Sequence, residues 1–315
     1  MFKQVRATVA LALAATALTA CGVNPNASML STSARLDAAG KATTRYALGA
    51  RLTERKVIDD EKGYRSQATL PQVADLRAQC SPVANQGGIG ACTGFAIASG
   101  LDEFLAKKAG RATTLSPAFV YYQERKLQGN ADMTEDSGSS IETGMKVLEQ
   151  FGTCPEADMP FLPLSQHKDP AKIKTFLGTA PSATAVQDAL GFKIAGSKSF
   201  INNSSSGKLT PVAVSTMSAI RRSLADGMPV VAGMIVFQSM MGDDVKQTGL
   251  VPMPTQSDKP VGGHAVMIVG YDQAKQVFIV RNSWSASWGD KGYFYLPYDY
   301  VRVGLVRDAF TAVLQ

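Results

Sequence analysis

Apolar side chains recur every three or four residues in the stretch after Cys92, at Phe95, Ile97, Ala98, Leu101, Phe104 and Leu105. This period predicts a buried helix that carries Cys92 on its first turn. Two later runs, residues 265–269 and 277–280, are short and continuously apolar, which is typical of buried strands. The Gly87-Gly88 pair breaks regular structure ahead of the helix, so a loop must lead into Cys92.

A different apolar run opens the chain, between the two cations of MFKQVR and Cys21. At about 14 residues it is too short to span a membrane, which takes about 20, and it is typical of a secretory signal peptide at residues 1–20. Its end, LTAC, resembles the bacterial lipobox, in which cleavage precedes a lipid-bearing cysteine. We therefore expect an exported protein anchored through Cys21 to a bacterial membrane, at the periplasmic face or the cell surface. The alternative is an ordinary signal peptide with a chance cysteine.

Residues 21–69 carry too few hydrophobic side chains to form a core. The first part is rich in Ser, Thr, Asn and Ala, which favours a tether. The remainder is charged and includes ERKVIDDEKGYR, which indicates a short pro-segment or a helix lying on the domain. We expect the globular domain to occupy residues 70–315.

Composition narrows the class of protein. The chain has 315 residues, 45% of them hydrophobic, which suffices for one large domain or two modest ones. Its net charge of +6 is spread along the chain without a run of four basic residues. We interpret this charge as a solvated surface and expect no nucleic-acid partner.

Cys92 has the surroundings of a reactive thiol. The first turn of a helix offers free amide N–H groups that stabilise a thiolate, and the small residues before it allow a substrate backbone to approach. Gln86, six residues earlier, could donate from its side-chain amide to an oxyanion beside the sulfur. The alternative is a small apolar cysteine packed in a helix.

A thiolate nucleophile needs a base, and the chain has only two histidines. His167 lies in a polar, proline-bounded loop, and we expect it on the surface. His264 follows two glycines, including Gly263, and precedes an apolar strand, which suits a Cys–His pair; a core histidine bonded to a carbonyl is the alternative. Asn282 would end the next strand beside His264 and orient its ring, and Trp284 could cover that bond.

Together these features resemble the papain-like cysteine peptidases. Four stretches match the family in order: QGGIGACTGFA at 86–96, LSPAFVYY at 115–122, HAVMIVGY at 264–271 and NSWSASWGDKGY at 282–293. The resemblance implies an α+β fold of two lobes, the left mostly helical and the right an antiparallel β-barrel-like lobe, with the active site in the cleft between them.

By position in the motifs, the resemblance implies that Cys92 is the nucleophile, His264 the base, Asn282 the orienting residue and Gln86 the oxyanion donor. The pair of glycines that lines the family's cleft falls on Gly138-Ser139, which with Gly263 we expect to contact substrate. The implied reaction is peptide-bond hydrolysis by a monomer without cofactor or metal. A zinc site is not expected, because His167 has no Cys or His partner at metal spacing.

The sequence differs from the family pattern at several positions. Ile89 stands where the family has a disulfide-forming cysteine, and Thr93 stands where an aromatic residue follows the nucleophile. His264 lies 264 − 92 = 172 residues after Cys92, beyond the family's usual roughly 130–150. No inhibitory pro-region of the usual length precedes the domain.

The two cysteines without an assigned role are Cys80 and Cys154. Because exported cysteines are often paired, we expect a Cys80–Cys154 disulfide that replaces the family bridge lost at Ile89.

Other function classes use the same residue types. One is a Cys–His–Asn acyltransferase of the transglutaminase kind, and another is a catalytically silent binding or adhesion lipoprotein on this scaffold. The third class is a purely structural lipoprotein, which no feature of the sequence supports. The contexts around Gln86 and Asn282 favour the peptidase, and silent relatives usually lose Cys92 or His264.

Overall fold

The computed structural model of the protein describes residues 46–52, 70–202 and 211–313. The predicted signal peptide at residues 1–20, the predicted lipidation site Cys21 and most of the 21–69 stretch lie outside these residues. Within the described part of the chain, no helix is both long and apolar enough to cross a bilayer.

Helices make up most of the first half of the domain. α1 (Cys92–Gly94) continues through a π-helical stretch (Phe95–Asp102) into α2 (Glu103–Lys108), and α3 (Pro117–Leu127), α4 (Ile141–Gln150), α5 (Pro170–Gly178) and α6 (Ala183–Ala189) follow. Their starts are encoded locally. Ser116 caps α3 by accepting a bond from the Phe119 amide, and Ser140 caps α4 by accepting one from the Thr143 amide.

An antiparallel sheet makes up most of the second half. Its strands are β1 (Val73–Asp75), β2 (Gly196–Asn202), β3 (Val230–Phe237), β4 (Pro260–Asp272), β5 (Val277–Arg281), β6 (Tyr293–Pro297) and β7 (Val306–Val313). The order across the sheet is β2-β7-β3-β4-β5-β6, and β1 pairs with β4. Three further helices lie between these strands: α7 (Val214–Ala225), α8 (Asp243–Thr248) and α9 (Tyr298–Arg302).

The main core joins the helix after Cys92 to the centre of this sheet. Leu101 and Phe104 from the helix and Met267 from β4 are all at most 1% exposed and belong to one apolar cluster. Removing one such aromatic ring, as in Phe104→Ala, would cost about 3–5 kcal/mol. This packing holds the N-terminal end of α1 against β4, the strand that carries His264. The α+β prediction, with a helical lobe and an antiparallel lobe, is confirmed.

The predicted Cys80–Cys154 disulfide is wrong, because both residues are free thiols. Cys80 follows a short 3-10 turn, and its thiol donates to the Leu76 carbonyl. Cys154 belongs to a separate apolar cluster that includes Phe119. The two thiols are thus packed in different parts of the domain.

Ile89, at the position of the lost family cysteine, is fully buried. It packs in a small cluster with Phe95, Tyr121 and Leu177. Apolar packing therefore holds this part of the loop, and the polar contacts described below hold the rest.

Candidate active site

Cys92 is the first residue of α1 and is completely buried. The backbone amides of Ala265 in β4, of Gly49 and of Thr93 lie near enough to its sulfur to favour the thiolate. Burial outweighs these contacts and raises the pKa of the thiol to about 11. The sequence predicted Cys92 on the first turn of a buried helix, and the structure places it there.

His264 lies in β4 and is fully buried. Its Nε2 is bonded at 2.8 Å to Oδ1 of Asn282, which directly follows β5. Among the described residues Nδ1 has no hydrogen-bond partner, so this nitrogen is free to exchange a proton with another group. Burial lowers the pKa of His264 to about 4, and the Asn282 bond partly opposes that shift.

Trp284 covers this pair with its indole ring. The ring stacks on the His264 ring at 4.6 Å between centroids, and Trp288 meets it edge-on at 5.0 Å. Trp284 is only 1% exposed. The arrangement keeps water from the His264–Asn282 bond, as the sequence predicted.

Gln86 is fully buried and held on both ends of its side chain. Its Oε1 accepts a 2.6 Å bond from the Ser283 hydroxyl, and its backbone amide donates to the Ser283 carbonyl at 2.9 Å. Nε2 donates to the carbonyls of Ile89 (3.1 Å) and Ala47 (3.0 Å). Sequence reasoning missed Ser283, whose only signal was its place directly after Asn282.

The cleft beside Cys92 is filled by the chain itself. Residues 46–52, here the 46–52 segment, begin at Tyr46, whose ring stacks on Trp284 at 4.6 Å. The Ala47 amide donates to the Gly87 carbonyl at 3.3 Å. Farther along, the Gly49 amide reaches the sulfur of Cys92. No sequence signal marked these residues as cleft-filling.

The far end of the 46–52 segment pairs with the residues predicted to hold substrate. The Ser139 amide donates to the Gly49 carbonyl at 2.9 Å, the Arg51 amide donates to the Ser139 carbonyl, and the Ala50 amide donates to the Gly263 carbonyl at 3.2 Å. Ala50 and Ser139 form a parallel bridge. Ser139 and Gly263 therefore have backbone groups placed to bind an extended strand.

Gly138 shapes the same end of the cleft. Its φ of 67° lies in the left-handed region that favours glycine, and a Cβ there would collide with the Gly49 carbonyl. The serine at position 139 does not prevent strand pairing, because the pairing uses only its backbone.

Thr93, at the position where the family has an aromatic residue, makes a polar contact instead. Its hydroxyl donates a 2.6 Å bond to the Glu124 carboxyl, and both residues are fully buried. Burial raises the pKa of Glu124 to about 8, although bonds from Thr93 and Ser139 oppose the shift. An uncharged carboxylic acid, Glu124, therefore lies against Thr93, the residue after Cys92, and no sequence motif predicted it.

His167 is not the free surface residue that the sequence predicted. It is half-buried; its Nδ1 accepts a 3.0 Å bond from the Gly88 amide, and its Nε2 donates to the Leu162 carbonyl at 2.8 Å. Across the described ranges, no three His, Cys, Asp or Glu residues come together as a metal site requires.

Comparison with known proteins identifies relatives of the whole domain. A family model described as papain family cysteine protease matches residues 70–313. An uncharacterized peptidase C1-like protein of Acanthamoeba polyphaga mimivirus is 36% identical over 247 residues, which are 78% of this chain and 71% of that protein. Mouse cathepsin K is 25% identical over 235 residues, 72% of this chain and 60% of that protein.

Among solved structures, xylellain, a cysteine protease from Xylella fastidiosa, superposes with a TM-score of 0.69 at 30% identity. The match covers 87% of this chain and 98% of that one. The similarity thus extends over the helical part, the sheet and the cleft.

Proposed function

This chain belongs to the papain family of cysteine proteases and is a cysteine peptidase, and we propose that Cys92, His264, Asn282 and Gln86 are the residues that perform the hydrolysis. The observation that carries the assignment is the 2.8 Å bond from His264 Nε2 to Asn282. It leaves Nδ1, which has no hydrogen-bond partner among the described residues, as the nitrogen that would exchange a proton with the Cys92 thiol.

Peptide hydrolysis follows from these groups in two stages. The Cys92 thiolate attacks the peptide carbonyl carbon, and the carbonyl electron pair moves to oxygen. Protonated His264 gives its proton to the departing amine, which breaks the C–N bond and leaves an acyl-enzyme. His264 then takes a proton from water, the hydroxide attacks the thioester, and the acid product leaves as the thiolate re-forms.

Gln86 stabilises the oxygen that becomes negative. A side-chain amide that is fixed before reaction lowers the barrier, because it need not reorganise as charge develops. Ser283 and Ile89 fix the Gln86 side chain in this protein. The backbone amide of Cys92 supplies the second donor.

The 46–52 segment acts, in this proposal, as a built-in inhibitor of the peptidase. A substrate must place its leaving amine toward His264 and Trp284 and its acyl part toward Ser139. The segment runs the other way, since its first residue, Tyr46, is at Trp284 and Arg51 is at Ser139. The carbonyl that faces Gln86 (Ala47) and the amide near the Cys92 sulfur (Gly49) then belong to different peptide bonds, so no single bond is presented for cleavage.

Occupation of the cleft also switches off the nucleophile. Because burial raises the Cys92 pKa to about 11 and lowers the His264 pKa to about 4, both groups are uncharged at neutral pH in this closed arrangement. Displacement of the 46–52 segment would admit water and favour the thiolate–imidazolium pair. The same segment thus controls both access and reactivity.

We also propose that Cys21 carries lipid and that the protein is exported and held at a bacterial membrane. The support is the short apolar run followed by LTAC at the N-terminus. The polypeptide substrate would then be met outside the cytoplasm.

The catalytic assignment is tested with a fluorogenic peptide and an epoxide thiol inhibitor on the full chain. Cys92→Ala should lose hydrolysis by about a thousandfold or more while the fold is kept, and His264→Ala should do the same. Adding a primary amine to the wild type should leave the free acid as the main product. An amide product would instead indicate acyl transfer, and hydrolysis by Cys92→Ala would assign the nucleophile elsewhere.

A further inference from the structure

Residues 86–91, here the 86–91 loop, carry Gln86 at the cleft; Ser283 holds Gln86 itself, and the residues that follow it need a support of their own. An oxyanion donor works only within about 2.7–3.1 Å of the charge that develops. Yet the loop contains Gly87, at φ 58°, and Gly88, which have the greatest backbone freedom of any residue type. The position where the family has a covalent bridge is Ile89, and the cysteines Cys80 and Cys154 are free.

Two side chains from outside the loop hold its amides. The Gly90 amide donates a 2.8 Å bond to Oδ2 of Asp136, and the Gly88 amide donates a 3.0 Å bond to Nδ1 of His167. His167 is itself fixed, because its Nε2 donates to the Leu162 carbonyl at 2.8 Å. A Cβ at Gly87 would collide with the His167 ring, so the ring lies directly on the loop.

Asp136 also connects the loop to the turn that holds the peptide strand. Its Oδ1 accepts a 2.6 Å bond from the Tyr121 hydroxyl, and that hydroxyl accepts a 2.9 Å bond from the Gly138 amide. One carboxyl group therefore joins the 86–91 loop to the backbone beside Ser139. Burial raises the pKa of the Asp136 carboxyl, and the bonds from Tyr121 and the Gly90 amide, together with the nearby Arg125, oppose that shift.

We propose that Asp136 and His167 are positioning residues of the peptidase: they hold the 86–91 loop so that Gln86 meets the oxyanion, in place of a disulfide. The proposal rests on the proposed role of Gln86. Neither side chain touches the reacting atoms, so loss of either should impair the step that forms an oxyanion and spare reactions of Cys92 that form none.

The experiment compares two probes of the same sulfur in the full chain. A peptide aldehyde adds to the Cys92 thiolate and gives a hemithioacetal, in which the former carbonyl electron pair lies on the oxygen that Gln86 stabilises. Iodoacetamide alkylates the same thiolate with loss of iodide and forms no oxyanion. The ratio of aldehyde affinity to alkylation rate cancels changes in cleft opening, because the 46–52 segment obstructs both probes.

Asp136→Ala and His167→Ala should each lower aldehyde affinity and kcat/KM by about tenfold to a hundredfold, since misplacement of a catalytic group by about 1 Å costs that much. The alkylation rate should stay within about twofold of the wild type. Asp136→Asn and His167→Gln, which keep a hydrogen-bond acceptor, should recover most of the loss. The matched controls Glu135→Ala and Gln166→Ala alter neighbouring side chains and should change neither probe.

Each result with the two probes either supports or contradicts the positioning role of Asp136 and His167. If both probes fall together, or neither falls, the two residues do not position the oxyanion donor and the proposal is wrong. If Asp136→Ala does not fold, His167→Ala, at a half-buried position, decides the matter. If Cys92→Ser still hydrolyses peptide, the proposed catalytic roles fail regardless of the loop.

Discussion

The carbonyl oxygen of Ala47 accepts a 3.0 Å hydrogen bond from Nε2 of Gln86. This is the donor that should meet the oxyanion of a substrate, so the chain's own backbone occupies the place of a reacting group. The neighbouring contacts of the 46–52 segment run opposite to a productive peptide. In the proposed function, the 46–52 segment and a substrate therefore compete for the same hydrogen-bond donors. Single substitutions in the segment test whether it inhibits the peptidase.

Ala50→Pro should activate the full chain. Proline removes the amide that donates to Gly263, and its ring would stand where that hydrogen meets the Gly263 carbonyl. We expect kcat/KM for a fluorogenic peptide to rise about tenfold or more, since a lost hydrogen bond and a steric clash together destabilise the closed form by more than about 1.4 kcal/mol. Ala50→Ser keeps the amide and should retain the low rate; equal rates for the two variants would argue against inhibition by this segment.

The reactivity of the cysteines should depend on the same opening. In the closed arrangement the pKa of Cys92 is raised to about 11 by burial, and that of Cys154 is raised to about 12. We expect slow alkylation by iodoacetamide at pH 6 in the wild type and fast alkylation in Ala50→Pro, with the adduct on Cys92 in peptide mapping. An adduct mainly on Cys80 or Cys154 would contradict this prediction.

Asn282→Ala should impair the chemical step more than binding. The substitution removes the acceptor that holds His264 Nε2, so the ring loses its orientation toward the sulfur. We expect kcat to fall by about tenfold to a hundredfold, within the range that a positioned acid–base group supplies, while KM changes by less than about threefold. The comparison is made in the Ala50→Pro background, and a change confined to KM would assign Asn282 to binding.

The buried acid behind the nucleophile should make stability fall with rising pH. Glu124 has an ordinary pKa of 4.5 that burial raises to about 8. Between these values the folded protein keeps a proton that the unfolded chain has lost, so stability is full below about pH 4.5 and declines until about pH 8. The loss from this group is at most about 5 kcal/mol.

Glu124→Gln tests that sign directly. The neutral amide can still accept from Thr93 but does not titrate, so the fall in Tm between pH 5 and pH 9 should be smaller than in the wild type. A residual slope should persist, because burial also raises the pKa of Asp102 to about 8. The exposed neighbour control Glu135→Gln should keep the full slope, and an equal slope in Glu124→Gln would show that Glu124 ionises freely in the fold.

The N-terminal prediction is independent of the active site. Metabolic labelling with a palmitate analogue should mark the wild type and fail in Cys21→Ser, whereas Ala20→Gly, a small residue for a small residue, should keep the label. A wild-type protein recovered unlabelled and free of the membrane fraction would reject the anchor.

The sequence by itself determined the class of fold and pointed to the residues that we propose to be catalytic. Cys92 begins a buried helix, His264 lies in an apolar strand and Asn282 directly follows the next strand. The spacing of apolar residues and the glycines that break regular structure were enough to predict these elements. Glycines beside two of these elements indicated where a peptide could approach. These signals can be read from one sequence because each depends on residues only a few positions apart.

Only the tertiary structure decided what fills and supports the cleft. Tyr46 meets Trp284, Asp136 meets Gly90 and His167 meets Gly88 across separations of 238, 46 and 79 residues. Such contacts leave no period in the sequence, since they depend on the path of the whole chain. The sequence predicted a Cys80–Cys154 bridge because the protein was expected to be exported and these two cysteines had no other assigned role. The packing of the whole chain instead places the two thiols in different apolar environments.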